Sequence, residues 1–375
     1  MESKRTGMIS DGSGMKKKLR PGKRIRTLIV DDSATMRRLI RENLEEHPDI
    51  QVVAEARCAR SARDAVNRYR PDVMTLDVEM PHMDGLEFLR RLMRARPMPV
   101  VMVSSLTRNG SSAAVKALSL GAVDCVSKQQ MGAAPEFGNL ADTVRTAAQA
   151  TVRQPRNMQP TGGSGVSEYS YGRGIVLIGA STGGVEALER ILERYPENCP
   201  PTLITQHMPA QFLVNFARRL NNLSRPLVKL GEDHEPIEMG KVLIAPGGAF
   251  HMTVAPGRQP HIALMRGSKS CGHRPSVDEM FRSAEFLGSR AIAVLLTGMG
   301  YDGAKAMLRL KNAGAFCIGQ DQETCVVFGM PRVAQELGAL DIQLPLDHIA
   351  QGILERTKQK HTLEDANSSW KPHVG

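Results

Sequence analysis

Residues 175–184, with the sequence IVLIGASTGG, decide the fold of the second half of this 375-residue chain. The apolar run at 175–178 is typical of a strand buried inside a sheet. Apolar side chains at helical spacing begin at Val185, and the glycines between the two patterns permit a sharp turn. A strand, a tight turn and a helix in this order predict a parallel sheet covered by helices.

The same alternation continues on both sides of this stretch. Toward the N-terminus, helical patterns separate short apolar runs at 27–30, 52–56, 73–76, 100–103 and 125–126. Toward the C-terminus, further strands are predicted at 202–205, 242–245, 291–296 and 316–318. Alternating residues on both sides of 256–260 predict a β-hairpin. We therefore expect an α/β protein of two doubly wound parallel-sheet domains, the second with a hairpin.

A change of composition separates the two halves of the chain. Segments rich in Gln-Pro and Gly-Ser, without apolar periodicity, predict a flexible linker between them. The predicted organisation is a disordered basic tail at 1–25, a first domain at 26–145, the linker at 146–172, a second domain at 173–357 and a loose tail at 358–375.

The net charge of +10 is concentrated at the N-terminus. Residues 1–26 contain nine Lys or Arg and two Asp or Glu, which accounts for +7 of that charge. Because the rest of the chain is nearly balanced and lacks a helix-turn-helix pattern, we expect no specific nucleic-acid partner. We interpret the tail as a solvated extension or as the result of a start position assigned too far upstream. Contact between the tail and an anionic surface is the alternative.

Two further classes of protein are excluded by pattern. No apolar run approaches the roughly 20 residues that a membrane span requires, and no apolar segment follows the basic N-terminus as in a signal peptide. The six cysteines include no C-x-x-C pair, so we expect reduced thiols rather than zinc sites or disulfides. These features predict a cytoplasmic protein.

Acidic residues follow two of the predicted strands in the first domain. Asp31 and Asp32 come after the first strand, and Asp77 comes after the third. Since ligands of an open parallel sheet bind at the carboxyl ends of its strands, we expect these carboxylates to meet there. Such a group needs a cation, and oxygen ligands favour Mg²⁺. A carboxylate can also accept a phosphoryl group, whose oxygens Lys128 and Ser104 at neighbouring strand ends could bind.

The joint pattern resembles a response-regulator receiver domain over residues 26–145. The resemblance rests on 30–33 (VDDS), 76–85 (LDVEMPHMDG), 101–105 (VMVSS) and 126–128 (VSK). It implies a flavodoxin-like fold and phosphorylation of Asp77 by a histidine kinase. It also implies Mg²⁺ binding at Asp32, Asp77, the backbone carbonyl of Glu79 and, through water, Asp31, and switching roles for Ser104 and Lys128. Gln129 follows the lysine, where this family usually has proline. Ser33 and Asp84 are predicted helix N-caps.

The second domain carries a candidate nucleophile. Gly179-x-Ser181-x-Gly183 between a strand and a helix matches the nucleophile-elbow pattern, and the helix N-terminus offers N–H groups to an oxyanion. A serine needs a base, for which His207 at a later strand end is the candidate. A phosphate-binding turn is the alternative interpretation, although the segment fits neither G-x-G-x-x-G nor a P-loop.

The acid that would orient the histidine is ambiguous from pattern alone. The candidates follow the histidine in the chain, an order that differs from that of α/β-hydrolases. Asp302 lies in the most glycine-rich turn, and Asp321 follows another strand. Asp278 is placed in the first turn of a helix, because Ser276 and Glu279 match a capping box.

Residues 173–355 resemble the catalytic domain of the chemotaxis protein-glutamate methylesterases. The segments that carry this resemblance, in preserved order, are 178–184 (IGASTGG), 205–209 (TQHMP), 245–247 (APG), 272–278 (GHRPSVD) and 296–303 (LTGMGYDG). The resemblance implies a triad of Ser181, His207 and Asp302. It also implies an oxyanion-binding backbone N–H at Met299, assistance from Thr182, and no cofactor in this domain.

The two resemblances together imply a phosphorylation-activated serine hydrolase of chemotaxis adaptation. Its substrates would be the glutamate γ-methyl esters of methyl-accepting chemoreceptors, and members of the family commonly deamidate receptor glutamines as well. Phosphorylation of Asp77 would relieve occlusion of the active site by the receiver domain. One rival is a non-catalytic signalling protein, which the presence of a full triad opposes. The other is a DNA-binding response regulator, which the output half does not resemble.

Overall fold

The computed structural model describes residues 23–80, 84–104, 108–131, 134–136, 140–152 and 169–359. Most of the two predicted terminal tails and linker residues 153–168 lie outside these ranges. So do Pro81, His82, Met83 and Ser105 of the motifs quoted above. Within the described part of the chain, no helix is long and apolar enough to cross a membrane.

The first domain contains a parallel sheet with the strand order β2-β1-β3-β4-β5. Its strands are β1 (Ile25–Val30), β2 (Ile50–Ala56), β3 (Val73–Asp77), β4 (Val100–Ser104) and β5 (Asp124–Ser127). Its helices are α1 (Ala34–Glu45), α2 (Ala59–Tyr69), α3 (Gly85–Ala95), α4 (Arg108–Ser119) and α5 (Leu140–Gln149). A short antiparallel pair, β6 (Gln129–Met131) and β7 (Ala134–Glu136), follows β5. This strand order is that of flavodoxin-like folds, which bind ligands at the switch point between β1 and β3.

Local signals explain where two of these helices begin. The Ser33 hydroxyl accepts a hydrogen bond from the Met36 N–H at 3.3 Å, and the Asp84 carboxylate accepts one from the Leu86 N–H at 3.0 Å. Both predicted N-caps are therefore confirmed. Strands β3 and β4 are buried along their whole length, because helices cover both faces of the sheet.

Helix α5 extends past the predicted end of the first domain at residue 145. It continues to Gln149 because Leu140, Val144 and Ala147 form a buried apolar stripe at helical spacing. The predicted boundary at residue 145 therefore falls inside a helix of the first domain.

The second domain contains a parallel sheet with the strand order β10-β11-β9-β8-β14-β15-β16. Its strands are β8 (Ile175–Ala180), β9 (Thr202–Gln206), β10 (Leu227–Leu230), β11 (Lys241–Ile244), β14 (Ala291–Leu295), β15 (Phe316–Gln320) and β16 (Ile342–Leu344). Its helices are α6 (Gly184–Leu192), α7 (Ala210–Leu223), α8 (Val277–Ser283), α9 (Ala304–Asn312), α10 (Met330–Glu336) and α11 (Leu346–Thr357). Strand β8 lies between β9 and β14, where the strand order reverses, so a site is expected at its carboxyl end.

The predicted hairpin is confirmed as β12 (Phe250–Ala255) and β13 (His261–Arg266). It forms a two-stranded sheet of its own and packs against α8 rather than joining the large sheet. Periodicity alone did not predict β10 and β16, which are short edge strands with partly exposed side chains. The predicted fold class, two doubly wound parallel-sheet domains with a hairpin in the second, is confirmed.

The two domains pack against each other. Helix α4 of the first domain contacts α6 and α7 of the second. Val115 and Leu118 of α4 belong to the same hydrophobic cluster as Phe212 and Phe216 of α7. These contacts define a closed arrangement of the two domains. Burial of each such side chain stabilises that arrangement by about 1.5–3 kcal/mol.

Candidate active site and phosphorylation site

Ser181 lies in the turn between β8 and α6, at the reversal point of the second sheet. Its N–H donates to the Thr297 carbonyl at 3.1 Å, and its carbonyl accepts from the Gly184 N–H at 2.8 Å. Gly183 has a φ of 81°, and a Cβ at Gly184 would lie 2.1 Å from Gln206 Oε1. Only glycine fits at these two positions, so the serine is held on a sharp and closely packed turn.

His207 follows β9 and lies beside this turn. Its backbone N–H donates to the Ala180 carbonyl at 3.0 Å. Its Nε2 lies 2.7 Å from Asp302 Oδ2, and because an ionised carboxylate only accepts, Nε2 carries the proton. Its Nδ1 is buried and has no hydrogen-bond partner among the described residues. The lone pair on Nδ1 is therefore available to receive a proton.

Asp302 is held by the residues at the start of α8. Its carboxylate accepts hydrogen bonds from the Ser276 hydroxyl at 2.8 Å, the Val277 N–H at 2.7 Å and the Asp278 N–H at 3.0 Å. Burial opposes ionisation, but His207 and these amides together hold the pKa of Asp302 below its ordinary value. Asp302 therefore stays ionised although its side chain is only 1% exposed.

The predicted capping box at the start of α8 is wrong. Ser276 is the N-cap residue, but its hydroxyl makes no cap hydrogen bond and donates to Asp302 instead. The Asp302 carboxylate, from another element, accepts the Val277 and Asp278 N–H groups at the start of α8 and so supplies part of the capping there.

The three candidate acids occupy different environments. Asp278 lies in the first turn of α8, as predicted, and accepts hydrogen bonds from the N–H groups of Gly303 and Ala306 at the start of α9. The Asp321 carboxylate accepts hydrogen bonds from Thr324. Asp302 is the one of the three that lies against the His207 ring.

Met299 and Thr182, the predicted supporting residues, both lie beside the nucleophile. A Cβ at Gly298 would lie 2.6 Å from Ser181 Cβ, so the backbone that leads into Met299 runs directly past Ser181. The Thr182 hydroxyl donates to Asp124 Oδ2 at 2.7 Å. Because Asp124 belongs to β5, this hydrogen bond joins the nucleophile turn to the first domain.

The first domain covers the catalytic turns at other points as well. The Thr146 hydroxyl of α5 contacts Met299 Sδ, and the Thr151 N–H donates to the Val326 carbonyl at 3.0 Å. Ser181 is only 9% exposed in this arrangement. Burial raises the pKa of Asp124, with the hydrogen bond from Thr182 opposing the rise.

A second contact between the domains lies further from the nucleophile. The Ser119 hydroxyl of α4 donates to Glu189 Oε1 of α6 at 2.6 Å. Arg219 of α7 pairs with the same carboxylate, which is nearly buried. The carboxylate is therefore shared between one partner in its own domain and one in the first domain.

The first domain brings its predicted acidic residues together. Ligand oxygens of Asp31, Asp32 and Asp77 all lie within 4.8 Å of one another. Lys128 Nζ lies 2.9 Å from both Asp31 Oδ2 and Asp77 Oδ1. Burial raises the pKa of Asp77 to about 6 against the opposing charge of Lys128, and the charge of Asp31 adds to the rise. A crowded set of carboxylate oxygens with one exposed member fits a small divalent cation such as Mg²⁺.

The remaining predicted residues of this domain lie at the same edge of the sheet. Ser104 is buried at the end of β4, and its carbonyl accepts the Lys128 N–H at 2.8 Å. Glu79 is exposed after β3, and its backbone forms a hydrogen bond with the Asp77 carboxylate.

Three residues contact the predicted triad or its turn, although the sequence did not predict these contacts. Ser276 binds Asp302, His273 stacks on His207, and Asp124 binds the nucleophile turn. Ser276 and His273 both lie in the 272–278 motif that carries the resemblance to the methylesterases, and this motif could have indicated that they belong to the site. Asp124 had no local signal, because its partner is 58 positions away in the other domain.

Comparisons with known proteins give consistent results for both domains. Residues 176–353 match the CheB methylesterase family, and residues 27–134 match the response regulator receiver domain. A protein-glutamate methylesterase/protein-glutamine glutaminase of Agrobacterium fabrum is 50% identical over 338 residues, which cover 88% of this chain and 96% of that protein. A Caulobacter vibrioides protein of the same name, numbered 1, is 48% identical, over 88% of this chain and 98% of that protein. The solved CheB methylesterase catalytic domain of Thermotoga maritima is 40% identical, covers 49% of this chain and 98% of that chain, and gives a TM-score of 0.48.

The family and the enzyme class inferred from the sequence are thus confirmed. Both relatives are matched over nearly their whole length, across the receiver and the catalytic domain alike. The chain belongs to the protein-glutamate methylesterase/protein-glutamine glutaminase family, with a response regulator receiver domain followed by a CheB methylesterase domain.

Proposed function

We propose that this chain is a serine hydrolase that removes methyl groups from the γ-glutamyl methyl esters of chemoreceptors and deamidates receptor glutamines. Phosphorylation of the receiver domain would raise this activity. The observation that supports the proposal best is the buried pair of His207 and Asp302. The Nδ1 of His207 has no partner among the described residues, and its backbone is bonded to Ala180, next to Ser181. Family membership supports the substrate class.

In the proposed first half-reaction, Ser181 Oγ attacks the ester carbonyl carbon while His207 Nδ1 takes the hydroxyl proton. Asp302 accepts the Nε2–H and stabilises the imidazolium that forms. The tetrahedral intermediate then expels methoxide, which takes the proton from Nδ1 and leaves as methanol. A glutamyl ester of Ser181 results.

In the second half-reaction, water attacks the acyl carbon and gives its proton to His207 Nδ1. Collapse of the second intermediate breaks the bond to Ser181 Oγ, which takes that proton back. The product is a free glutamate carboxylate. With a glutamine substrate the same steps release ammonia in place of methanol.

The oxyanion of both intermediates needs donors close to the nucleophile. We assign this role to the backbone N–H of Met299, on the strand-to-loop segment that passes Ser181. The N-terminus of α6 adds the positive end of a helix dipole. Thr182 would assist once its hydroxyl is free of Asp124.

Regulation would begin at Asp77, which accepts a phosphoryl group from a histidine kinase. The residues that would hold Mg²⁺ are Asp32, Asp77, the carbonyl of Glu79 and, through water, Asp31. When bound, the ion would neutralise charge on the phosphoryl group. Lys128 and the Ser104 hydroxyl would then bind phosphoryl oxygens.

The switch is proposed to act through β5. Lys128 follows this strand directly, and Asp124 begins it. A new partner for Lys128 would disturb the strand and weaken the hydrogen bond between Asp124 and Thr182, which favours an open arrangement of the domains. The buried nucleophile turn supports this scheme, since substrate needs access to Ser181.

The partners in this proposal are a chemotaxis histidine kinase and methyl-accepting chemoreceptors. The catalytic domain would need no cofactor, since its own side chains supply the nucleophile, base and acid. A cytoplasmic location and the lack of a specific nucleic-acid partner stay predictions. A gel-shift assay that found tight, sequence-dependent DNA binding would contradict the latter.

The direct test is methanol release from membranes with methylated chemoreceptors. Wild type and Ser181→Ala are compared, each with and without a small-molecule phosphodonor and Mg²⁺. We expect release by wild type that rises with the phosphodonor and is absent in Ser181→Ala. No release by wild type under any condition would overturn the proposed activity, and equal rates with and without phosphodonor would overturn the proposed switch.

A further inference from the structure

The imidazole rings of His207 and His273 are stacked face to face. Their centroids are 3.8 Å apart and their planes differ by 6°. His273 lies in the segment between β13 and α8, and the proposed reaction steps assign it no proton transfer.

The stack matters because a single side-chain hydrogen bond holds the His207 ring. That bond runs from Nε2 to Asp302, and Nδ1 has no partner within the described residues. One hydrogen bond at the edge of a ring fixes a direction but permits rotation about the Cβ–Cγ bond. A flat group packed on the ring face blocks that rotation, because the ring would have to sweep through it.

His273 is itself rigidly placed by a tight turn. Ser270 and His273 exchange two backbone hydrogen bonds, of 3.0 and 2.8 Å. The two residues between them, Cys271 and Gly272, have φ values of 50° and 83°, as a type I′ turn requires. The ring of His273 thus extends from a closed two-residue turn rather than from a loose loop.

The same segment also holds the acid of the triad. Beyond His273, the chain reaches Ser276, Val277 and Asp278, which donate three hydrogen bonds to Asp302. Residues 270–278 therefore contact the His207 ring on its face and hold the Asp302 carboxylate that binds its edge. We call these residues the clamp segment.

The charge state of His273 suits a packing role beside a base. Burial and the nearby charge of His207 lower the pKa of His273 to about 4, against the attraction of Asp302. The ring is therefore neutral near pH 7 and adds no positive charge next to the imidazolium. The other titratable groups around the pair are Asp124, Lys269, Cys271 and Asp278.

We infer that His273 is a positioning residue whose stacked ring fixes the plane of the His207 imidazole, so that Nε2 stays on Asp302 and Nδ1 stays available to Ser181. The inference rests on the proposed function for its catalytic consequence. Its structural consequence is independent of any substrate, because loss of the stack would let the His207 ring turn about Cβ–Cγ. Nε2 would then leave Asp302, which would no longer fix the tautomer.

The activity test uses the full chain with phosphodonor and Mg²⁺, and varies the concentration of methylated receptor membranes. We expect His273→Ala to lower kcat for methanol release by about 10- to 100-fold with KM nearly unchanged, because misplaced catalytic groups cost rate rather than binding. His273→Phe keeps a flat ring and should restore most of kcat. His348→Ala, an exposed histidine of α11, is the matched control and should behave like wild type.

The second readout is the tautomer of His207, followed by long-range ¹H–¹⁵N correlation spectroscopy at constant pH on the same variants. Wild type and His273→Phe should show one tautomer with the proton on Nε2, and His273→Ala should show a mixture. The inference is overturned if His273→Ala keeps the single tautomer or keeps the wild-type kcat. If wild type releases no methanol, the proposed function fails, and the tautomer comparison alone then decides the inference.

Discussion

The receiver site and the catalytic site surround their carboxylates in opposite ways. In the receiver, Asp31, Asp32 and Asp77 crowd together around one ammonium, that of Lys128. In the catalytic domain, the Asp302 carboxylate accepts four hydrogen bonds, and the neighbouring Asp278 carboxylate accepts its own from the start of α9. The first arrangement carries excess negative charge, which the proposed Mg²⁺ binding and phosphorylation would alter, whereas every carboxylate oxygen of Asp302 in the second is hydrogen-bonded. Changes to the satisfied site should therefore affect the chemical step, and changes to the crowded site should affect regulation.

The largest effect is expected from Asp302→Asn. An amide can donate to His207 Nε2, which favours the tautomer with the proton on Nδ1 and removes the base. We expect kcat for methanol release to fall by about 10⁴-fold, as loss of the acid does in other triads. Asp321→Asn is the matched control, since Asp321 binds Thr324 and lies away from the histidine. An equal loss in both variants would contradict the assignment of Asp302 as the acid.

The next effect is expected at the crowded site. Asp77→Asn should abolish the stimulation of methanol release by a phosphodonor and leave the basal rate unchanged, because the substitution removes the phosphate acceptor but no catalytic group. Asp84→Asn is the control from the same loop, since asparagine also serves as an N-cap. A stimulated rate that survives in Asp77→Asn would show that the phosphodonor acts elsewhere.

A smaller effect is expected where the two domains meet. Ser119→Ala removes one hydrogen bond to the buried Glu189 and should destabilise the closed arrangement. A net contribution of about 0.5–1.5 kcal/mol per hydrogen bond corresponds to a rise of about 2- to 10-fold in the basal rate, with the stimulated rate unchanged. Ser112, exposed on the same helix, provides the control Ser112→Ala. A basal rate in Ser119→Ala equal to that of the control would argue against closure as the cause of inhibition.

The smallest effect is a pH dependence of closure. Burial raises the pKa of Asp124 in the closed arrangement, so that arrangement binds a proton more tightly than the open one. As pH rises from the ordinary aspartate pKa near 4 through the raised value, closure loses this stabilisation and opening becomes more favourable. The ratio of basal to stimulated rates should rise across this window, and Asp124→Asn should flatten the rise. A wild-type ratio that does not change with pH would contradict this role.

The site residues that the sequence predicted share one property: they lie at the carboxyl ends of parallel strands. Asp31 and Lys128 follow parallel strands and Asp77 ends one, and Ser181 and His207 follow strands of the second domain. Because parallel strands present their carboxyl ends at the same edge, the order of strands and helices already indicates which side chains can meet.

The wrong capping-box prediction concerns a residue that can form a hydrogen bond with more than one partner. Ser276 and Glu279 match a capping box, but the Ser276 hydroxyl binds Asp302, which comes 26 positions later in the chain. Local sequence patterns involve residues only a few positions apart. They therefore cannot predict that a buried carboxylate from another element will bind the same side chain. The alternatives Asp278 and Asp321 stayed open for the same reason.

The chain's own pattern was sufficient for the fold class, the family and the location of each candidate site, since all three depend on periodicity and on short motifs. Only the folded chain decided that Asp302 lies on His207, that His273 covers its face and that Asp124 reaches across to Thr182. These contacts join segments that are distant in sequence. They form because a buried polar group is stable only with a hydrogen-bond partner, and the packing determines which partner lies within reach.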